Sequence, residues 1–198
     1  MLEGNYNSPV KRICIAALAF GAAASSFGQV YFAGTGHYYE AVKVPSGITW
    51  SDANAAAIAS GGYLASILSS DENDFVFSLV NDPSFFTGIS VNGDRLGPWL
   101  GGINTGSGWG WTNGDTFSYS NWHSGQPDGY GGGNQYIQFY DGANVGKTWG
   151  DHPGGNINGF ELPKGYVVEF NAVPEPTSLA ALGVGALALL RRRRPRVG

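Results

Sequence analysis

The sequence predicts an α+β domain in which two early helices are followed by short strands around one long irregular loop. Three observations predict it. Two helix-start signals stand near residues 49 and 69, and no third follows. Short runs rich in Val, Ile, Tyr, Phe and Trp recur before, between and after them. Glycine is abundant, with 32 of 198 residues, which favours turns and loops over long regular elements.

The elements follow in order. Val30-Tyr31-Phe32 and His37 to Val44 alternate as one or two strands, and Pro45-Ser46-Gly47 turns the chain. Thr49-Trp50-Ser51-Asp52 is a capping box opening onto the alanine-rich stretch 53–59, which Gly61-Gly62 ends. Tyr63 to Ile67 is a short strand. Ser69-Ser70-Asp71-Glu72 is a second capping box, and Phe75, Val76, Leu79 and Val80 share one face of the helix it starts. Asn81-Asp82-Pro83 closes that helix. Trp99 to Ile103 reads as a buried strand, followed by Trp109-Gly110-Trp111 and the turn Asn113-Gly114-Asp115. From Phe117 to Tyr136 the chain is mostly Gly, Ser, Asn, Pro and aromatic residues. A loop of about twenty residues inside a compact domain is usually functional or disordered. Tyr136 to Tyr140 and Gly165 to Phe170 are the last strands.

Both ends read as targeting segments. Lys11 and Arg12 precede the apolar run 13–24, the pattern of a signal peptide, which we place at residues 1–28 with cleavage after Ala24 or Gly28. At the other end, Val173-Pro174-Glu175-Pro176 leads into the apolar stretch 179–190 and then Arg191 to Arg194. Twelve helical residues rise about 18 Å, short of the roughly 30 Å hydrocarbon core. The arginines would hold the extreme C-terminus on the cytoplasmic side. The tail at 173–198 resembles the PEP-CTERM sorting signal of Gram-negative bacteria. That resemblance implies removal by an exosortase-type processing enzyme, with the segment anchoring the protein in the membrane before processing. The folded domain is then 29–172, exported to the cell envelope or beyond.

Charge narrows the function classes. Residues 29–172 hold four basic and 13 acidic side chains, a net charge of −9. Nucleic acid is excluded as a partner, because it needs a basic footprint. The sole cysteine, Cys14, lies in the apolar run of the signal peptide, so the domain is disulfide-free. His37, His123 and His152 are scattered without zinc spacing, and no nucleophile elbow or phosphate loop occurs. No catalytic residues are expected, and the chain is not read as an enzyme.

The order of motifs over residues 36–170 resembles the C-type lectin-like domain. Thr49-Trp50-Ser51-Asp52-Ala53 matches that family's first-helix start. Gly62-Tyr63-Leu64-Ala65-Ser66-Ile67 with Ser70-Asp71-Glu72-Asn73 matches its entry to the second helix. Trp99-Leu100-Gly101-Gly102 matches its core strand. Trp111-Thr112-Asn113-Gly114 and Tyr119-Ser120-Asn121-Trp122 match the run into the long loop, Gln126-Pro127-Asp128 its sugar-selecting tripeptide, and Trp149-Gly150-Asp151 its Trp-Asn-Asp position. The fold implied is two helices flanking small antiparallel sheets with a long loop. Trp50, Trp99, Trp109, Trp111 and Trp122 are read as packing residues. The family's disulfide positions are filled by other residues, Ala56 or Ala57 in the first helix and Tyr136 in the strand after the long loop, so packing must replace the cross-links, each worth about 2–4 kcal/mol.

The resemblance also implies a site. In the family the tripeptide proline is cis and aims its neighbours at one Ca2+ ion. Gln126, Asp128, Asn134 and Asp151 are thus the implied calcium ligands, and with Tyr130 they are the implied carbohydrate-binding residues. Two positions depart from the pattern: Asn134 replaces an acid, and Gly150 replaces the asparagine of Trp-Asn-Asp. Calcium takes six to eight oxygens, and a set with two anions implies weak binding, on the order of 10⁻⁴–10⁻³ M. Gln-Pro-Asp goes with galactose-type sugars in the family, and Tyr130 before Gly131-Gly132-Gly133 matches the ring that stacks on galactose. The implied function is a calcium-dependent lectin for a carbohydrate or exopolysaccharide. The alternative, motivated by Gly150 and Asn134, is a calcium-independent lectin-like scaffold for protein contacts or matrix structure.

Overall fold

The computed structural model describes residues 25, 26, 28–90, 93–156 and 161–171. The apolar run of the expected signal peptide and the sorting segment 173–198 lie outside the described residues.

The strands are β1 (Ser25–Ser26), β2 (Val30–Phe32), β3 (His37–Lys43), β4 (Tyr63–Leu64), β5 (Leu96–Asn104), β6 (Trp109–Trp111), β7 (Gln135–Tyr140), β8 (Trp149–His152) and β9 (Gly165–Phe170), with helices α1 (Trp50–Ala59) and α2 (Ser70–Val80). They join into one sheet whose main path runs β1-β3-β9-β5-β7-β8, with β2 paired to β3, β4 to β9 and β6 to β5. The ends of the domain meet where β3 lies antiparallel to β9, from Tyr38 opposite Phe170 to Lys43 opposite Gly165. A parallel step, Trp99 beside Tyr166, connects this half to the β5-β7-β8 half that carries the long loop. The expected α+β class holds. The sheets expected to be small and antiparallel are instead continuous through that parallel step, because β5 and β9 are both buried strands and each needs neighbours on its two edges.

Both helices start where their caps stand. Thr49 Oγ1 accepts the Asp52 N–H at 3.1 Å, and Ser69 Oγ accepts the Glu72 N–H at 3.2 Å. In α1, Ala53 and Ala57 lie one turn apart and are fully buried, small enough to let the helix approach the sheet. In α2, Val76 and Val80 are buried as the periodicity predicts, while Phe75 and Leu79 pack from the edge. Glu72 and Asn73 are buried too, which the apolar pattern did not signal. Glu72 reaches past the cap to accept the Leu68 N–H at 2.7 Å and the Tyr39 hydroxyl at 2.5 Å.

Three elements differ from the reading of the sequence. The strand expected over 63–67 has ladder pairing only at Tyr63–Leu64, because the Ser66 N–H donates to the Glu169 carboxylate at 2.9 Å. Pro83–Phe85 forms a single 3₁₀ turn, started by Asp82 accepting the Ser84 N–H at 2.8 Å. Trp149–His152, read as a motif alone, is a strand paired along β7.

Ring packing ties the start of α1 to β7. Tyr136 stacks on Trp50 with centroids 4.2 Å apart, and the Trp50 N–H donates to the Gly154 carbonyl at 2.9 Å. Trp50, Trp99 and Trp111 are buried, and Trp109 and Trp122 pack half-buried against the core, so these five are packing residues as expected. At Gly101 a Cβ would collide with the Leu64 carbonyl, so Gly101 permits the close approach of β4, and at Gly102 a Cβ would collide with the Ile137 side chain of β7.

Candidate functional site

The long loop is held from beneath by aromatic rings. Trp149, fully buried in β8, lies within 5.6–6.4 Å of Trp111, Phe117, Tyr119 and Trp122, centroid to centroid. Its indole N–H donates to Asn73 Oδ1 of α2 at 2.8 Å. The loop backbone is pinned to the same residue, since the Trp149 N–H donates to the Asn121 carbonyl and the His123 N–H to the Trp149 carbonyl, both at 2.8 Å. The segment leading into the tripeptide is therefore anchored to β8.

The Gln126–Pro127 bond is cis, as the resemblance implies. Around it, side chains and backbone close on one another. The Asp151 carboxylate, 7% exposed, accepts the Asp128 N–H on Oδ1 and the Gly129 N–H on Oδ2, each at 2.9 Å. Gln126 Oε1 accepts the Asp151 N–H at 3.2 Å, and Gln126 Nε2 donates to Asp128 Oδ2 at 3.1 Å. Asp128 Oδ1 accepts the Tyr130 N–H at 2.9 Å. Gln135 Nε2 secures the glycine run by donating to the carbonyls of Gly132 at 2.9 Å and Tyr130 at 3.3 Å.

Four of the five sequence-predicted residues thus converge. Gln126, Asp128, Tyr130 and Asp151 line one cleft of about 120 Å³. Asn134 does not join them; it is exposed and is not among the residues lining the cleft. Four further residues complete the lining with polar atoms: Asp94, Gln138, Tyr140 and His152. Sequence reasoning missed these. Gln138, Tyr140 and His152 occupy one face of paired strands, a period-2 signal that register alone turns into a shared wall. Asp94 arrives from the segment before β5 and carried no local signal. It accepts the Tyr140 hydroxyl at 2.5 Å, and burial together with the Asp94 carboxylate pushes the Tyr140 phenol above its usual range.

The donor set bears on the Ca2+ ion that the resemblance implies. Of the implied ligands, three bring side-chain oxygen to the cleft: Gln126, Asp128 and Asp151. Calcium takes six to eight ligands. Every oxygen of those three side chains already accepts a hydrogen bond. At Gly150 an added Cβ would lie 2.9 Å from Cγ of Tyr140, so that ring fills the space where the family's asparagine would stand. Among the described residues no group of three or more Asp, Glu, His or Cys side chains is placed to hold a metal. The implied ligands that converge fall short of a calcium cage by themselves, and they hold the tripeptide through their own hydrogen bonds.

A second polar cluster lies in the core. The Tyr39 hydroxyl donates to Glu72 at 2.5 Å and contacts Glu169 at 3.2 Å, and His37 Nδ1 meets Glu169 at 2.6 Å. Burial is the first cause that raises the Glu72 carboxyl above its ordinary value. Both glutamates are 1% exposed and neither lines the cleft, so the cluster is a buried tie between β3, α2 and β9.

Comparison with known proteins agrees with this fold. Residues 46–155 match the family model described as the lectin C-type domain. Residues 172–194 match the PEP-CTERM protein-sorting motif, so the tail carries that motif as the sequence predicts. The galactose-specific lectin nattectin of Thalassophryne nattereri is 35% identical over 82 residues, covering 40% of this chain and 46% of that protein. The chain thus spans about half the length of the curated relative it matches. Among solved structures, the cow C-type carbohydrate-recognition domain of CD23 aligns with a TM-score of 0.53 at 22% identity, over 74% of this chain and 95% of that one. A calcium-independent type II antifreeze protein aligns with a TM-score of 0.52 at 23% identity, over 74% and 98%.

Proposed function

Because the chain belongs to the C-type lectin domain family, we propose that it is a non-enzymatic carbohydrate-binding module whose site is the Gln126-Pro127-Asp128 cleft. The observation that carries this reading is the convergence of Gln126, Asp128, Tyr130 and Asp151 on one cleft. A sugar offers vicinal hydroxyls, each both donor and acceptor. Each oxygen of Gln126 and Asp128 keeps a second lone pair for a sugar hydroxyl, and the exposed Tyr130 ring, 47% accessible, gives an apolar face for sugar C–H groups. The tripeptide and the ring favour a galactose-type sugar, in keeping with the galactose-specific relative.

Calcium is not required in this proposal, since the loop is closed by hydrogen bonds between Asp151 and the backbone of Asp128 and Gly129. Affinity is modest: a handful of partly exposed hydrogen bonds and one ring suit a Kd near 1 mM, about −4 kcal/mol. The sorting motif supports export, exosortase-type processing and residence at the cell envelope, where the sugar would belong to an exopolysaccharide. Calorimetric titration with galactose in EDTA and in calcium tests the reading. Saturable binding that Asp128→Ala abolishes is expected in both buffers. Binding confined to the calcium buffer would restore a calcium-dependent lectin. Absence of binding in both would favour a scaffold for protein contacts or matrix structure.

A further inference from the structure

Two of the buried side chains that line the cleft hold polar atoms with no hydrogen-bond partner among the described residues. Gln138 is 1% exposed, and its Oε1 has no hydrogen-bond partner among the described residues. His152 is 5% exposed, and its Nε2 has none either. Both line the same cleft. The His152 Nδ1 accepts the Gly154 N–H at 3.1 Å, so the ring is neutral and carries its hydrogen on Nε2. Two side chains that line the cleft thus bring one unpaired acceptor and one unpaired donor. Leaving a buried polar group unpaired costs about 1–3 kcal/mol, so such groups persist where a bound partner satisfies them.

The walls carry a second message. Asp94, Asp128 and Asp151 face the cleft, and none of the lining residues is a lysine or arginine. A cleft with three carboxylates and no balancing cation repels anions and attracts cations.

Resting on the lectin reading above, we propose that Gln138 and His152 form an inner recognition pair for a sugar hydroxyl, within a cleft selective for neutral and amino sugars over uronic and sialic acids. A hydroxyl suits both unpaired atoms: it donates to Gln138 Oε1 and accepts from His152 Nε2–H. A carboxylate could accept from His152 but has no hydrogen for Gln138, and it would lie among three like charges. An amino sugar keeps the hydroxyl contacts and adds an ammonium whose three donors suit the carboxylates of Asp94, Asp128 and Asp151. The cleft, about 120 Å³, has room for about four waters, which is enough for one edge of a pyranose.

The test is calorimetric titration of the purified full chain with D-galactose, D-galactosamine and D-galacturonic acid. Galactosamine should bind at least as tightly as galactose, and galacturonic acid at least about tenfold more weakly. Gln138→Met keeps the volume and removes the unpaired oxygen. It should weaken galactose about tenfold while leaving the melting temperature unchanged or raising it, since an unsatisfied acceptor leaves the core. His152→Phe removes the other contact of the pair. Asp94→Asn retains an acceptor for Tyr140 and should narrow the gap between galactose and galacturonic acid. The inference is overturned if galactose binding requires Asp128 yet survives both Gln138→Met and His152→Phe within about twofold, or if galacturonic acid binds as well as galactose. If no sugar binds the unsubstituted chain, this inference and the lectin reading fall together. Should either of those two variants fail to fold, the comparison of the three sugars on the unsubstituted chain and on Asp94→Asn decides.

Discussion

Replacing Asp151 with alanine should loosen the sugar loop and cost stability even when no calcium is present. The carboxylate makes two hydrogen bonds to backbone N–H groups, both at 2.9 Å, from a side chain only 7% exposed. Hydrogen bonds to a charged group contribute about 1.5–3 kcal/mol each when shielded. Both donors belong to exposed residues, Asp128 and Gly129, so water recovers part of that on substitution. A net loss of about 2 kcal/mol follows, which for a domain of this size lowers Tm by about 4–8 °C. Asp151→Asn keeps one acceptor and should lose about half as much. Added calcium should matter less: at about 1 mM ion and a Kd of about 1 mM, the gain is RT ln 2, about 0.4 kcal/mol, or about 1–2 °C. Thermal melts followed by circular dichroism in EDTA and in calcium measure both. Two results would refute the reasoning: an Asp151→Ala melt within about 1 °C of the parent in EDTA, or a calcium-dependent loss in the parent as large as the loss from the substitution.

The remaining expectations concern pH and packing. Glu72 has a folded value raised above its ordinary 4.5, so its contribution to stability is complete below that value and is lost as pH rises through the raised one. Urea unfolding at intervals from pH 4 upward should show this decline, and Glu72→Gln should flatten it. His152 runs the opposite way, because burial lowers it from 6.5 to about 4. Its contribution is present above pH 6.5 and is lost as pH falls towards 4, by about 3 kcal/mol at most; the same unfolding series on His152→Phe should lack that acid loss. Gly150→Asn, which restores the family residue, should overpack against Tyr140 and cost about 1–3 kcal/mol, seen as a lower denaturation midpoint. Pairing it with Tyr140→Ala should recover part of that loss.

How far the fold could be read from the sequence follows from which interactions are local. The caps at Thr49 and Ser69 lie within four residues of the groups they satisfy, so the two helices and their starts were legible. The final strand, Gly165–Phe170, was legible because it is buried on both faces and reads as a plain apolar run. The strand Trp149–His152 was not, since Gly, Asp and His carry little strand preference and its identity rests on pairing with β7. The same division applies to the cleft. Gln126, Asp128 and Tyr130 stand within five residues of one another and could be grouped by eye. Asp94, Gln138 and His152 come together only through the register of β7 and β8 and the position of a distant loop. Gly150 shows the limit most clearly. Its missing side chain was visible in the sequence, but the Tyr140 ring that takes up the space lies ten residues away on the neighbouring strand.

The central claim is that a galactose-type sugar binds at the tripeptide cleft without needing a metal ion. Amide ¹H–¹⁵N spectra of the full chain, titrated with galactose in EDTA, test it most directly. The account predicts saturable shifts concentrated at Gln126, Asp128, Gly129, Tyr130 and Asp151, with α1 and the β1–β3 edge undisturbed. Spectra that do not change up to about tens of millimolar sugar, or shifts centred away from this loop, would contradict it.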